Sequence, residues 1–331
     1  MKLKAGKLSP EILSNLLQNV LIPGDSSIVI GPGIGFDSAV VDIGERYLVI
    51  STDPITFVTE NVGFYTLAVN VNDVAVTGAD PKYLMFTVLL PGGKVEEKDV
   101  ERIFEDIKRF SKRLGISIIG GHTEVTIGIN HVITSGTIFG YVKKGELVRQ
   151  DGARPGDVVI MTKLAGVEGT SIIAREKNLS EYFREKEIEE MRNFNVAPGI
   201  LVLDDVKCLK KIVKPTAMHD PTEGGIAQAL HEIATASRVG ILVFKDRIPI
   251  HPYTQKLASI FSFDPLGLIS SGALLATVPA DRADEVVENC KEFNAIIIGE
   301  IRETDFGRKM LDGGKLRDLP QFPQDEITKI L

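Results

Sequence analysis

Residues Ser51 to Ala79, STDPITFVTENVGFYTLAVNVNDVAVTGA, decide how this chain is read. The stretch opens with Ser51-Thr52-Asp53, at the end of the apolar run Tyr47–Ile50. From Phe64 to Gly78 the residues Leu67, Ala68, Val71, Val74 and Ala75 recur at helical spacing, which predicts a mostly buried helix. Against that background Thr66, Asn70, Asp73 and Thr77 fall at i, i+4, i+7 and i+11, one polar stripe on one face. An ionised carboxylate in an apolar helix is costly unless it is paired or metal-bound. Two readings of Asp73 stay open at this point: a buried hydrogen bond to Asn70 or nearby backbone, or a functional carboxylate.

The chain's 331 residues are enough for two domains with sizeable cores. A net charge of -7 speaks against nonspecific nucleic-acid binding, which uses a basic face. It does not oppose ATP, an anion usually held by backbone amides, local cations and Mg²⁺. No apolar run reaches the roughly 20 residues of a membrane span, and MKLKAGKLSPEILSNLL at the start lacks a signal peptide's apolar core. Cys208 and Cys290 cannot by themselves make a zinc cluster or a disulfide framework. Cys290, in a helix-like run, is expected to pack as a small hydrophobe. The simple inference is a cytoplasmic, reducing compartment, with no nucleic-acid and no membrane partner.

Around the deciding stretch, Ser9-Pro10-Glu11 predicts a capped first helix with Pro10 at its first position. The short strand Ile28–Ile30 runs into Gly31-Pro32-Gly33-Ile34-Gly35-Phe36-Asp37. That loop lets backbone approach a ligand closely, or is a plain hairpin turn. Strands are predicted at Val49–Thr52 and Tyr83–Leu90, and a charged amphipathic helix at Val95–Leu114. Ile116–Ile119 is expected to be a short strand leading into Gly120-Gly121-His122-Thr123-Glu124. His131–Val142 is a long strand with Ile133, Ile138 and Val142 as core positions. Helices set apart from a largely antiparallel sheet give an α+β class. The polar segment Lys143–Asp157 holds the domain boundary, dividing the chain into 1–148 and 149–331. In the second half, Pro215–Gly225 interrupts regular structure and feeds a helix at Ile226–Ser237.

The order of motifs resembles the aminoimidazole ribonucleotide synthetase-like (PurM-like) superfamily over nearly the whole chain. The residues that carry the resemblance are Gly33–Ala39, Ser51-Thr52-Asp53, Asn70–Ala79, Gly120–Glu124, Gly152–Asp157, His219–Gly225, Asp264-Pro265-Leu266 and Ile298-Gly299-Glu300. Within that group the chain looks most like the hydrogenase-maturation proteins of the HypE type and their archaeal relatives. The resemblance implies a homodimer in which N-terminal mixed sheets pair into a β-barrel, with ATP near the interface and a C-terminal α/β domain. It implies Mg²⁺ on Asp37, Asp53 and Asp73. Gly33, Gly35, Asn70, Thr77, Gly120, Gly121, Thr123, Gly224 and Gly225 become the expected nucleotide-binding positions. His122 is expected to donate a hydrogen bond to phosphate or to Asp73, or else to be a histidine satisfied beside a turn. Asp220 would orient an acceptor or act as base, with Thr222 as a cap for the following helix. Asp73, His122 and Asp220 are thus the catalytic candidates. Arg154 and Lys163 are candidates for a phosphate clamp, or surface and strand-end ion pairs.

Four positions depart from the family pattern. Phe36 stands where paired aspartates usually begin, His122 replaces a common aspartate, and Glu223 lies where HypE-like chains often carry arginine. Asp325–Leu331 lacks the cysteine that receives a carbamoyl group in HypE. The expected function is therefore a Mg-ATP enzyme that hydrolyses ATP or transfers phosphoryl to activate an oxygen of a small acceptor, without the cysteine carbamoyl chemistry. The alternatives are a non-catalytic nucleotide-binding partner of a maturation protein, and a thiamine-monophosphate kinase.

Overall fold

The computed structural model describes residues 8, 10–20, 24–56, 58 and 60–331. The cap expected at Ser9 lies outside the described residues. Helix α1 spans Pro10–Val20. The chain divides into two compact units: one of Asp25–Gly31 and Asp37–Leu147, the other of α1, Pro32–Phe36 and Val148–Leu331.

The first unit contains β1 (Ile28–Ile30), β2 (Ala39–Asp42), β3 (Arg46–Ile55), α2 (Val62–Ala75), β4 (Asp80–Pro91), α3 (Glu97–Leu114), β5 (Ser117–Thr126) and β6 (Ile133–Lys143). Its sheet has the order β1-β2-β3-β6-β4-β5. Every pair is antiparallel except β4 with β5. Parallel strands need a long crossover, and α3 supplies it. Both helices lie on one face, with α2 packed on β3, β6, β4 and α3. All fourteen residues of α2 are buried, so its polar stripe faces protein rather than water.

Close packing of α2 on β6 corrects one expectation. The buried side of β6 is Thr134, Gly136, Ile138, Gly140 and Val142, while Ile133 is half-buried on the other side. A Cβ at Gly136 would sit 2.5 Å from Asn70 Nδ2, and one at Gly140 would sit 2.5 Å from Val74 Cγ1. Small residues there let the helix come down onto the strand, so the buried face is not the most apolar one. Among the described residues of this unit the opposite sheet face carries no helix, and Tyr83 and Met85 are exposed on it. The sheet is open, with β1 and β5 at its edges. The expected barrel is therefore not closed within one chain. Residues Ser117 to Val125 of β5 are all exposed.

The second unit holds β7 (Asp157–Met161), α4 (Val167–Glu176), α5 (Glu185–Arg192), α6 (Leu203–Ile212), β8 (Ala217–His219), α7 (Gly225–Ser237), β9 (Gly240–Phe244), α8 (Pro252–Phe261), β10 (Leu275–Pro279), α9 (Ala283–Asn289), β11 (Ile296–Arg302), β12 (Arg308–Asp312) and β13 (Lys315–Asp318). The strand order is β13-β12-β9-β11-β7-β10-β8. Ile226, Leu230 and Ile233 of α7 pack with Val159, Met161, Ile241, Val243, Leu275 and Ile298 of the sheet. Mixed sheets with helices on their faces make this an α+β fold. Among the described residues no helix is long and apolar enough to cross a membrane.

Cys208 of α6 and Cys290, just past α9, form a disulfide across 82 positions of sequence. Cys290 is fully buried as expected, but bonded. The helix α6 that carries Cys208 to it was not read from the sequence.

Candidate active site

In the first unit the polar stripe of α2 is knitted to β3 and to the segment before β2. Ser51 Oγ lies 2.6 Å from Asp73 Oδ2 and 2.9 Å from the Asp37 carbonyl oxygen. Ser38 Oγ donates to the Asp73 carbonyl oxygen at 2.9 Å. One turn earlier, Asn70 clamps Asp53: the Asp53 N–H donates to Asn70 Oδ1 at 3.0 Å, and Asn70 Nδ2 donates to the Asp53 carbonyl at 3.3 Å. The β2–β3 ladder ends at Ala39 opposite Ile50, so the Asn70 amide stands in for a missing neighbouring strand at Asp53. Asn70 Nδ2 also donates to the Thr66 carbonyl at 2.8 Å. Two motifs far apart in sequence are thereby tied to one helix face. Asp73 is only 3% exposed, whereas Asp37 and Asp53 are half-buried.

The burial of Asp73 sets the electrostatic problem. Taking a carboxylate out of water costs several kcal/mol, and one hydrogen bond to a charged acceptor contributes about 1.5–3 kcal/mol. Mg²⁺ takes hard oxygen ligands, usually one or two carboxylates with phosphate and water completing an octahedron. The acidic residues here have the right chemistry for that. Among the described residues, Asp37, Asp53 and Asp73 do not bring one oxygen each within 4.8 Å of one another. They therefore fit ions held by one or two of them with phosphate oxygens, and not a three-carboxylate cage.

Other expected residues of this unit lie elsewhere. Thr77 Oγ1 donates to the Val74 carbonyl at 2.7 Å and is 1% exposed, closing the end of its own helix. Gly120, Gly121, His122 and Thr123 continue the edge strand β5 past Ile119. Gly121 pairs with Phe86, where a Cβ would fall 2.1 Å from the Phe86 carbonyl oxygen. Phe86 packs its ring on Phe104 of α3, so it marks the helix side of the sheet. His122, opposite Thr87, alternates to the bare side. Its Nε2 lies 3.5 Å from Glu124 Oε2. The expected His122 hydrogen bond to Asp73 is thus corrected: the two residues serve opposite faces of the sheet.

In the second unit, Gly33 and Gly35 belong to a short segment laid on α7. A Cβ at Gly35 would approach the Glu232 carbonyl oxygen to 3.0 Å. His219 ends β8 and is 1% exposed, with Nε2 2.7 Å from Glu232 Oε2. Gln228 Nε2 donates to the other oxygen of Glu232 at 3.2 Å. Asp220 is 1% exposed.

The start of α7 differs from expectation. The N-cap of α7 is Gly224, and Thr222 accepts the Gly225 N–H through its carbonyl at 3.0 Å. The Gly224 N–H donates to Asp325 Oδ2 at 2.7 Å, and the Ile327 N–H donates to Asp325 Oδ1 at 2.8 Å. A carboxylate from 101 positions downstream occupies the amide that was expected to meet a nucleotide anion. Gly225 is required locally: its φ is +62°, and a Cβ would sit 2.6 Å from the Leu266 and Leu268 carbonyl oxygens.

Two acids around this helix start are held off their usual ionisation. Burial pushes Glu168 up to about 7, helped by the negative charges of Asp325 and Glu223, while the Ser271 side chain and N–H pull the other way. Burial likewise raises Asp325 to about 6, against the N–H groups of Ile327 and Gly224. Sequence reading missed Ser51 as the link to Asp73, Glu232 as the partner of His219, and Asp325 as the cap. Only Asp325 carried a signal, as an acid just before Glu326-Ile327-Thr328-Lys329, which forms a short 3-10 helix.

Residues 35–142 match AIR synthase related protein, N-terminal domain, and residues 154–310 match AIR synthase related protein, C-terminal domain. A putative hydrogenase expression/formation protein of Methanocaldococcus jannaschii is 30% identical over 323 residues, covering 91% of this chain and 93% of that protein. A carbamoyl dehydratase HypE of Rhizobium leguminosarum bv. viciae is 31% identical over 260 residues, covering 76% and 72% of the two chains. The crystal structure of hydrogenase maturation protein HypE in complex with ATP superposes with a TM-score of 0.69 at 22% identity, over 98% of this chain and 97% of that one. That last likeness shows the fold alone. The two matched domains and the M. jannaschii relative identify the chain as a member of the AIR synthase related family, on the side of the HypE-type hydrogenase formation proteins.

Proposed function

We propose that this chain is a Mg-ATP-dependent enzyme that activates an oxygen of a small acceptor, by phosphoryl transfer or by coupled ATP hydrolysis. The observation that carries the reading is the Ser51 hydroxyl set between the buried Asp73 carboxylate and the Asp37 backbone. With Asn70 holding Asp53, acidic residues of separate motifs are anchored to one face of α2. Asp37, Asp53 and Asp73 would hold Mg²⁺ against the phosphates, the ion neutralising charge that develops on transfer. The chain's own share is orientation: Ser51, Ser38 and Asn70 fix the acids before ligand arrives. The ATP complex of a HypE of this fold supports the nucleotide.

A homodimer follows from the same reading. The uncovered sheet face and the exposed edge β5 are surfaces a second copy would cover. His122 and Glu124 would then meet the partner copy or its nucleotide. Domain 1–148 would bind ATP and dimerise, and 149–331 would carry the acceptor, with Asp220 as its polar group. The joining of Cys208 to Cys290 supports a chemistry that does not use a cysteine as carbamoyl acceptor.

A second reading, nucleotide binding without turnover beside a maturation partner, is favoured by one feature. The Gly224 amide, expected to meet phosphate, is taken by Asp325. The test is ADP release from Mg-ATP, measured alone and with thiamine monophosphate. Steady ADP release supports the enzyme; stoichiometric binding with no ADP supports the binding protein. Phosphorylation of thiamine monophosphate would replace both with a kinase.

A further inference from the structure

The disulfide lies outside the site described above, yet it is wired to buried polar groups. Asp205 sits on α6, three residues before Cys208. Its carboxylate accepts Lys163 Nζ at 2.7 Å and Thr162 Oγ1 at 2.6 Å. Lys163 is 8% exposed and stands at φ +54°, just past β7. Its N–H donates to the Phe293 carbonyl at 2.7 Å, and Asn294 Nδ2 donates to its carbonyl at 3.2 Å. Phe293 and Asn294 lie just beyond Cys290. The ion pair and the disulfide therefore join the same two places, α6 and the turn after α9.

That junction holds a third segment. Lys163 Nζ also donates to the Gly272 carbonyl at 3.1 Å and the Leu201 carbonyl at 2.8 Å. Thr162 N–H donates to the Leu274 carbonyl at 3.0 Å. Within the same segment, the Ser271 N–H donates to Glu168 Oε2 at 3.2 Å. A buried ion pair is geometrically demanding, because a partner that drifts leaves an uncompensated charge.

We propose that Cys208–Cys290 is a reducible clamp that keeps Asp205 on Lys163 and thereby fixes residues 271–274 beside Glu168. Cys208 is half-buried and Cys290 fully buried, so a dithiol reductant attacks Cys208. A thiolate of the reductant bonds to Cys208 Sγ, the S–S bond breaks, and Cys290 leaves as a thiolate and takes a proton. The reductant's second thiol then closes on the first, releasing Cys208. Two electrons and two protons pass to the protein, and the reductant ends as its own disulfide. In reducing compartments bonds of this kind are usually transient or redox-sensing; in oxidising ones they persist.

The experiment uses the full chain purified without reductant. Thiol titration after denaturation is expected to find none before dithiothreitol and two after. Reduction should speed hydrogen exchange at 271–274 and in α6, and lower the thermal midpoint by roughly 10 °C for so long a closed loop. A Cys208→Ala/Cys290→Ala variant should match the reduced protein and ignore dithiothreitol. If that variant does not fold, the comparison of wild type with and without reductant still decides. Two thiols in air-equilibrated protein, or the same exchange at 271–274 in both states, would overturn the clamp.

Discussion

The two units handle buried acid in opposite ways. Around Asp73 the donors are neutral hydroxyls, Ser51 of β3 to its carboxylate and Ser38 to its backbone carbonyl, while the neutral Asn70 amide of α2 holds Asp53. Around the start of α7, burial raises both Glu168 and Asp325; the Glu223 charge adds to each, and the Asp325 charge adds to Glu168. On the proposed function, the first arrangement would present oxygen to a cation. The second stores protons near neutral pH, in a place where a family member was expected to offer an amide to an anion. Burial of a carboxylate therefore does not by itself mark a metal site; what donates to it, and which charges surround it, decides.

The largest consequence of this contrast is in pH dependence. Glu168 ionises at about 7 in the fold against 4.5 for an ordinary glutamate. A raised pKa means its stabilising share is complete below 4.5 and is lost as pH rises through 7. At 1.36 kcal/mol per unit, the loss is about 3 kcal/mol. Denaturant unfolding from pH 4.5 to 8 should show that fall, and Glu168→Gln should flatten it. A stability that climbs with pH in wild type would break the contrast.

Next in size is the packing that brings Asn70 to Asp53. Gly136→Ala places a methyl 2.5 Å from Asn70 Nδ2 and 3.1 Å from the Thr66 carbonyl oxygen. The expected cost is about 2–3 kcal/mol in chemical denaturation, with weaker nucleotide binding in the fraction that folds. Full stability in this variant would mean that α2 has room to move off β6.

Parts of this arrangement were legible and parts were not. The helix at Val62–Ala75, the glycine loop before Ala39 and the long strand at Ile133–Lys143 follow from local periodicity and turn chemistry. The polar stripe of α2 was visible because helical spacing is local. Its partners were not, since Ser51 and Gly136 reach Asn70 and Asp73 only through strand register. The strand expected to end at Ile119 runs on through Gly120 to Thr126, because Gly121 is needed for a close strand approach to Phe86. The α7 cap came from 101 positions away, which no local pattern encodes. The disulfide was missed for the same reason, at a separation of 82.

Smaller effects sharpen the comparison. Ser51→Ala removes the donor at 2.6 Å from Asp73 Oδ2. It should cost about 1.5 kcal/mol in thermal or denaturant unfolding without bound metal. Saturating Mg-ATP should recover part of that loss, because a ligand that binds only the folded state adds stability. Asp325→Asn keeps an acceptor for the Gly224 N–H and removes a charge from the cluster. Its cost should be under about 1 kcal/mol at pH 5 and smaller still at pH 8. A larger loss at pH 8 would show that the Asp325 charge is wanted, contrary to the crowding described above.

The most direct test titrates Mg-ATP into wild type and Asp73→Asn by calorimetry, after their thermal midpoints have been matched against each other for folding. The account predicts clear Mg²⁺-dependent binding to wild type and a loss of at least about tenfold in the variant, since a charged oxygen is removed while shape is kept. Equal affinity in the two proteins, or binding that ignores Mg²⁺, would contradict it.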